Sequence, residues 1–169
     1  MITIRRCETE QDYVIAADLL GELSTWDSIE TEKLGFTAQS VLDFYYGAEN
    51  RLPSPPARDS GLKLLGFVGP DVGGCISYRE VEPAICEIKH LYVRPSFRGS
   101  GLGRALVSCL LARGRAAGYR RVRLETVSFM GTAVRMYEGM GFVRRTPYYE
   151  IPEVFLPITI FMEKDLEEG

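Results

Sequence analysis

Strand-like and helix-like segments alternate along this chain of 169 residues, and their order limits the folds that are open to it. The strand-like run Ile2–Arg6 is followed by Thr9, a residue type that favours the position just before a helix. Apolar residues then recur with helical spacing as far as about Leu23, and Thr37 offers the start of a second helix. In the first helix the predicted apolar face consists of Val14, Ala17, Leu20 and Leu23.

A proline-rich loop, Asn50–Gly61, separates this part from a second group of segments that begins with a hairpin. Strands interleaved with helices predict one α/β domain over residues 1–169, in which helices cover both faces of a mixed sheet. The predicted strands are Lys63–Gly69, Gly74–Val81, Ile85–Val93, Arg121–Thr126, Phe142–Arg145 and Pro157–Lys164. The predicted helices of this part are Gly101–Ala117 and Thr132–Met140.

Composition and charge exclude several classes of protein. A hydrophobic share of 46 % rules out disorder, and the apolar runs are far shorter than the ~18 residues that a membrane span needs. The N-terminus lacks the pattern of a signal peptide, so we expect a cytoplasmic protein that inserts in no membrane. The net charge of −3 argues against nucleic acid as a partner, because such binding calls for a basic surface.

The histidine and cysteine counts limit the available chemistry. His90 is the only histidine, which disfavours Ser-His-Asp hydrolases and histidine-rich metal sites, and we expect no metal. The four cysteines form no C-x-x-C pair, and three of them lie in apolar stretches where cysteine is usually a small core residue. Carboxylates, tyrosines and backbone amides therefore remain as the candidates for catalysis.

The segment Ile88–Ala105, IKHLYVRPSFRGSGLGRA, carries the clearest functional signal. A strand enters it, Pro95 ends the strand, and a loop with three glycines opens directly into a helix. Unpaired N–H groups at a helix N-terminus attract anions, and glycines let a ligand approach the backbone closely. With Arg98 and Arg104 at the rim, the segment predicts a site for a phosphate or pyrophosphate.

Two common phosphate-binding motifs do not fit this loop. The dinucleotide fingerprint G-x-G-x-x-G/A fails because Arg104 or Leu106 takes its last position, depending on the register. The P-loop motif fails because the sequence contains no Gly-Lys pair. The spacing that does occur is Arg98-x-x-Gly101-x-Gly103, which taken alone also fits an ordinary glycine-rich helix start.

Two spacings in the second half of the chain form a linked pattern. The first is Arg98-x-x-Gly101-x-Gly103, and the second is the phrase MYEGMGF of Met136–Phe142. In this order they resemble the two motifs of the GNAT superfamily of acetyl-CoA-dependent N-acetyltransferases, R/Q-x-x-G-x-G/A after the fourth strand and L-Y-x-x-x-G-F on a short helix. The resemblance covers roughly Cys86–Lys164, close to half of the chain.

The resemblance implies a fold and a co-substrate. The fold is a single three-layer α-β-α domain with a mixed, mostly antiparallel sheet of six to seven strands, whose fourth and fifth strands splay apart. The pantetheine arm of acetyl-CoA would pair with the backbone of one splayed strand, and the pyrophosphate would rest on the amides of the loop. The residues implied to bind it are Leu91, Tyr92, Val93, Arg98, Gly99, Ser100, Gly101, Leu102, Gly103 and Arg104.

The resemblance also assigns catalytic roles. An alkylamine has a pKa near ~10.4, so it must lose a proton before it attacks a thioester. Glu87 matches the glutamate of the phrase C-E-x-K-x-L and is the implied general base, and Tyr137 matches the tyrosine that protonates the departing thiolate. A backbone N–H near Leu91–Val93 would bind the oxyanion. The implied reaction is acetyl transfer to a small-molecule or protein amine by direct attack.

Other interpretations stay open at this point. A non-catalytic acyl-CoA-binding or sensing domain would keep the loop without needing Glu87. A nucleotide-binding protein of unrelated fold would bind a nucleotide but not CoA. Many superfamily members carry an asparagine at the position of Met130, so one contact to the co-substrate differs here. Because the superfamily often forms dimers, a homodimer is a further expectation.

Overall fold

The computed structural model describes residues 1–47 and 61–166, so all but the last residue of the predicted Asn50–Gly61 loop lies outside them. Strands and helices alternate in this part of the chain as the sequence predicts. The strands are β1 (Ile2–Arg6), β2 (Leu62–Val68), β3 (Asp71–Glu82), β4 (Ile85–Val93), β5 (Arg121–Val127), β6 (Val143–Arg145) and β7 (Thr159–Asp165). The helices are α1 (Glu10–Glu32), α2 (Ala38–Tyr46), α3 (Leu102–Ala116) and α4 (Gly131–Glu138).

The strands form a seven-stranded mixed sheet in the order β1-β2-β3-β4-β5-β7-β6. β1 pairs antiparallel with β2, and β7 pairs antiparallel with both β5 and β6. β4 and β5 run parallel, and their pairing covers Ile85–Glu87 and Arg121–Arg123 although both strands continue further. The predicted α/β fold, the strand number and the splay between the fourth and fifth strands are confirmed.

The chain divides into two compact units, with boundaries inside β3, β4 and α3. The first unit comprises the described residues of Met1–Ser77 and His90–Val107, and the second those of Tyr78–Lys89 and Ser108–Gly169. Buried side chains of the first unit include Leu19, Leu23, Val41, Leu64, Leu65, Ile76, Leu102 and Leu106. Those of the second include Cys86, Leu110, Val122, Leu124, Val134, Phe142, Met162 and Leu166. The single domain over residues 1–169 stays a prediction.

A reciprocal cap starts α1 at the predicted place. The Thr9 hydroxyl accepts the backbone N–H of Asp12 at 3.2 Å, and the Asp12 carboxylate accepts the N–H groups of Glu8 and Thr9 at 3.0 and 3.1 Å. Arg5 donates to the other Asp12 oxygen at 2.6 Å. The three donors to the carboxylate stabilise its charged form, so they hold the pKa of Asp12 well below its usual range although the residue is buried.

The predicted apolar face of α1 is wrong in register. Val14 is 52 % exposed and Ala17 is exposed, and of the predicted face only Leu23 is buried. The buried positions are Asp12, Ala16, Leu19, Leu23, Asp27 and Thr31. The anchored Asp12 carboxylate fixes which side of the helix faces inward. Because two polar residues continue this buried stripe after Leu23, hydrophobic spacing could not reveal that the helix runs on to residue 32.

The other predicted helices and strands are found to within a few residues at each end. Thr37 caps α2 by accepting the N–H of Ser40 at 3.1 Å. Gly118 ends α3 with a φ of 91°, and Ala117, the last residue of the predicted helix, lies past the helix end and is exposed. None of the helices within residues 1–47 and 61–166 combines the length and hydrophobicity that crossing a membrane demands.

Removing the Asp12 carboxylate should destabilise the fold. Asp12→Ala leaves two backbone N–H groups and Arg5 without their acceptor, and we expect the free energy of unfolding to fall by ~2–4 kcal/mol. Urea denaturation at pH 7 measures this change. Glu10→Ala, which removes an exposed carboxylate from the same helical turn, is the control and should cost less than ~1 kcal/mol. Equal losses in the two variants would contradict the role of the cap.

Candidate active site

The predicted phosphate-binding loop lies between β4 and α3, in the first unit. Pro95–Phe97 form one 3-10 turn after β4, and Gly99 and Gly101 then adopt left-handed φ values of 81° and 88°. Among the described residues, a Cβ on Gly101 would meet only an Ile2 side-chain carbon, at 4.0 Å, so they leave that side of the backbone open. The exposed residues of the loop are Arg98, Gly99, Ser100, Gly101 and Arg104.

Packing at Leu102 fixes where α3 begins. Leu102 is the first residue of the helix and is 1 % exposed. A Cβ on Gly66 would lie 2.8 Å from one Leu102 methyl carbon, and a Cβ on Gly73 would lie 2.6 Å from the other. The missing side chains of β2 and β3 therefore make the space that Leu102 fills. As a result, the first-turn N–H groups of α3, which have no acceptor within the helix, are held at the end of the loop.

Two arginines near the loop have different surroundings. Arg94 donates through Nε and Nη2 to the Glu22 carboxylate of α1 at 2.7–3.1 Å, and this pairing lowers the pKa of Glu22. Arg98 donates through Nε to the Val93 carbonyl at 3.2 Å and lies over the Trp26 ring, 5.5 Å from its centroid. Arg94 thus ties the end of β4 to α1, whereas the exposed Arg98 stays at the loop surface.

His90 interrupts the regular backbone of β4 immediately before the predicted pantetheine-binding residues, Leu91–Val93. Its φ is 56°, a conformation that costs a residue with a side chain ~1–2 kcal/mol. The imidazole stacks on the Tyr46 ring, with centroids 6.0 Å apart and planes 15° apart, and the Tyr46 hydroxyl donates to the Asp27 carboxylate. No sequence signal could have identified this group, because a lone histidine and two residues of separate helices share no spacing.

Burial governs the Asp27 carboxyl group. The residue is 9 % exposed, and among the described residues no donor reaches its second oxygen. Desolvation therefore raises the pKa of Asp27 from 3.8 to about 6, although the hydrogen bond from Tyr46 acts in the opposite direction.

The second unit holds Glu87 in a buried network of charges. Glu87 is 1 % exposed, and its Oε1 lies 3.0 Å from Lys89 Nζ and 3.3 Å from Arg79 Nη2. Its Oε2 accepts the Tyr148 hydroxyl at 2.6 Å. Lys89 Nζ also lies 3.3 Å from Oε1 of Glu125. Both oxygens of the predicted base are therefore occupied, and a proton can reach Glu87 only by displacing or passing through one of these partners.

Tyr148 is the uncharged partner of Glu87, and cations and aromatic rings surround it. Arg123 and Arg145 lie over its ring at 5.1 and 5.3 Å from the centroid, and Phe161 packs edge-on at 5.1 Å. Burial, together with the Glu87 charge, raises the pKa of Tyr148, so the phenol stays protonated and remains a donor. The sequence places Tyr148 and Tyr149 after the last motif, where they could line an acceptor pocket, but no motif predicts the bond from Tyr148 to Glu87.

Tyr137, the predicted acid, lies on α4 and is 4 % exposed. Its ring packs edge-on against Phe142 at 5.4 Å, and burial raises the pKa of its phenol. The described partners of the Glu87 carboxylate do not include Tyr137. The roles of Glu87, Tyr137 and the loop residues stay predictions.

Three of the four cysteines are held in the thiol form. Cys7, Cys75 and Cys86 are buried, as expected for small core residues, and Cys109 is partly exposed. Burial raises the pKa of Cys7 to about 11 and those of Cys75 and Cys86 to about 12, so these thiols are protonated at neutral pH. Among residues 1–47 and 61–166, no group of three or more histidine, cysteine, aspartate or glutamate side chains is placed to hold a metal ion.

The family model of the acetyltransferase (GNAT) family matches residues 32–142, more than half of the chain. The chain belongs to the GNAT family. Its family and its relatives named N-acetyltransferases support an acyltransferase enzyme, and the GNAT fold decides against a nucleotide-binding protein of unrelated fold. The matched region contains β4, the glycine loop and α3, together with β5 and α4.

Relatives and solved structures agree with this GNAT assignment. The N-acetyltransferase YjgM of Escherichia coli, itself uncharacterised, is 36 % identical over 82 % of this chain and 81 % of its own length. An uncharacterised N-acetyltransferase of Schizosaccharomyces pombe is 34 % identical over 56 % of this chain, and the match spans 57 % of that protein.

A Klebsiella pneumoniae structure assigned as an acyl-CoA N-acyltransferase is 26 % identical, with a TM-score of 0.72 and 98 % of both chains covered. A Bacillus subtilis acetyltransferase solved in complex with CoA shares the fold at 16 % identity, with a TM-score of 0.63 and coverage of 98 % and 99 %.

The buried Asp27 carboxyl should make stability fall as pH rises. Between pH ~4 and ~6 the folded GNAT chain keeps a proton on Asp27 that the unfolded chain has lost, so folding weakens across this range. Asp27→Asn keeps an acceptor for Tyr46 and cannot ionise. We expect it to be more stable than the parent by ~1–3 kcal/mol at pH 7.5, and to differ little at pH 4.

Urea denaturation at the two pH values measures the effect of Asp27→Asn. Asp18→Asn, which removes an exposed carboxylate from the same helix, is the control for net charge. An Asp27→Asn chain that gains no stability at pH 7.5 relative to pH 4 would contradict the burial argument.

Proposed function

We propose that the protein transfers the acetyl group of acetyl-CoA to a primary amine by direct attack of the amine on the thioester. The ammonium form of the acceptor first loses one proton and becomes the attacking amine. The new C–N bond then forms as the C–S bond breaks, the nitrogen loses a second proton, and CoA departs as a thiolate that takes up one proton. Direct attack needs no acyl-cysteine intermediate, and the high pKa values of the three buried thiols support this route. Membership of the GNAT family supports the reaction class.

The observation that carries the proposal is the junction of β4, the glycine loop and α3. Most residues of Arg98–Arg104 are exposed, Gly101 has no side chain on its open side, and the helix start is fixed by Leu102. These features suit the pyrophosphate of acetyl-CoA, which would accept hydrogen bonds from first-turn N–H groups while Arg98 and Arg104 supply positive charge. Leu91–Val93 would pair with the pantetheine arm, and an N–H there would bind the oxyanion.

Glu87 is the proposed proton acceptor, and its surroundings suggest how the proton travels. Glu87 Oε2 already accepts the Tyr148 hydroxyl at 2.6 Å. An amine that gives a proton to the Tyr148 oxygen, while Tyr148 gives its own proton to Glu87, would deprotonate without entering the buried network. Lys89 and Arg79 would keep the Glu87 carboxylate in place during the transfer. The transfer balances, because Tyr148 ends with the same number of protons as it began.

Tyr137 is the proposed donor to the leaving sulfur. Burial raises the pKa of its phenol above the ordinary value of ~10, so the group stays protonated at neutral pH. A thiol with a pKa near ~8.5 forms a thiolate that is less basic than this phenolate. Tyr137 would therefore assist departure mainly by donating a hydrogen bond to the developing negative charge on sulfur.

Acetyl-CoA should bind, and Gly101 should be needed for it. An alanine at φ 88° strains the loop and places a Cβ where the pyrophosphate would approach, so we expect Gly101→Ala to weaken acetyl-CoA binding by about tenfold or more. Isothermal titration calorimetry measures the dissociation constant. Gly118→Ala at the other end of α3 is the matched control, because its φ of 91° brings the same strain without a place in the loop.

Loss of affinity in both glycine variants would point to a general effect of strain rather than to the loop. A parent chain that binds no acetyl-CoA at high micromolar concentration would refute the proposed function itself.

Removing the Tyr137 hydroxyl should slow turnover without weakening acetyl-CoA binding. We expect Tyr137→Phe to lower kcat by ~10–1,000-fold, because the leaving thiolate loses its donor while the aromatic ring keeps its packing on Phe142. A screen of acetyl-CoA with a broad amine library, read as free thiol, identifies the acceptor and measures kcat. Tyr119→Phe changes a phenol elsewhere in the second unit and is the control. An unchanged kcat in Tyr137→Phe would remove this residue from the mechanism.

A further inference from the structure

Two oxygen atoms in the second unit are buried without a hydrogen-bond partner among the described residues. They are Oε2 of Glu125 and the hydroxyl of Tyr149. The Glu125 side chain is only 9 % exposed, and burial raises the pKa of its carboxyl group. A desolvated carboxylate oxygen without a donor is costly, and the catalytic steps proposed above use neither residue. The two atoms therefore suit a donor from outside the chain.

Both groups belong to one face of the sheet. Glu125 of β5 is the pairing partner of Phe161 in β7, and paired residues of antiparallel strands place their side chains on the same face. The ring of Tyr149 packs edge-on against Phe161 at 5.3 Å, and Tyr148 packs on the same ring at 5.1 Å. An aromatic cluster thus accompanies the carboxylate on this face.

The charge on Glu125 is only partly compensated. Lys89 Nζ lies 3.3 Å from Glu125 Oε1 and 3.0 Å from Glu87 Oε1, so two carboxylates share this one ammonium group. Arg79 adds a second cation, and its described ion pair is with Glu87. Oε2 of Glu125 is thus the least compensated oxygen of the network among the described residues.

We infer that Glu125 and Tyr149 bind the acceptor as an alkylammonium ion, before it gives up its proton. This inference rests on the proposed function and deepens it. An ammonium group has three donors and no acceptor, and it would find here one carboxylate oxygen and one phenol oxygen that both lack donors. The rings of Tyr149 and Phe161 add a surface that attracts cations.

The inferred site selects a class of acceptor. An alkylamine is charged at neutral pH because its pKa is near ~10.4, so it gains a charge-assisted hydrogen bond at Glu125. An amine that is neutral at this pH gains no such bond. Tyr148 immediately precedes Tyr149 in the chain and donates to Glu87, so the bound ammonium would begin its proton transfer beside the first group of the proposed path.

A comparison of two small probes tests the site. We would titrate n-butylamine and n-butanol, matched in shape and different in charge, into the full chain saturated with CoA, and follow binding by NMR chemical shifts. We expect n-butylamine to bind about tenfold or more tightly than n-butanol at pH 7. Glu125→Gln should remove most of this preference and leave CoA affinity unchanged. Asp165→Asn removes an exposed carboxylate of the same unit and should keep the preference.

Each outcome decides for or against the site. Equal binding of the two probes, or a preference that survives Glu125→Gln, overturns the inference. The comparison of probes needs only the unchanged chain, so it remains decisive if Glu125→Gln fails to fold. Absence of CoA binding would refute the proposed function instead, and the same titration without CoA would still test the site. Turnover of amines together with equal probe binding would leave the enzyme function standing and reject the site.

Discussion

The placement of the Leu102 side chain over two glycines is the interaction on which the candidate site depends. Gly66 and Gly73 lie where any side chain would collide with the Leu102 methyl groups. Because Leu102 opens α3, this contact sets the position of the helix start and of the first-turn N–H groups, which have no acceptor within the helix. The glycine loop before it can then remain exposed and still have a defined end. A chemical feature of the surface is thus fixed by packing in the core.

The buried carboxylates of the second unit are stabilised by cations to different extents. Glu87 and Glu125 would each be costly to bury alone, and Lys89 and Arg79 offset this cost through ion pairs. The compensation is complete for Glu87, whose two oxygens are both bonded, and incomplete for Glu125. The same network can therefore hold one carboxylate in place and leave another with unused capacity for a ligand.

The sequence predicted those parts of the structure that follow from regular spacing of residue types. The alternation of strands and helices, the Thr9 cap and the glycine loop all rest on local patterns, and the structure contains each of them. The predicted buried face of α1 was wrong because the buried Asp12 determines which side of the helix faces inward. The spacing of apolar residues does not reveal a buried charge. The bond from Tyr148 to Glu87 and the position of Glu125 beside Phe161 could not be predicted, because they join residues that are distant in sequence.

The positions of the four thiols have a practical consequence for work on this enzyme. Three cysteines are enclosed and strongly disfavour the thiolate form, so a labelling reagent that detects released CoA will find them slow to react while the chain is folded. Cys109 is the partly accessible one and would give a small constant background. On unfolding all four become reactive, and the native cysteines then act as reporters of loss of structure without any engineered probe.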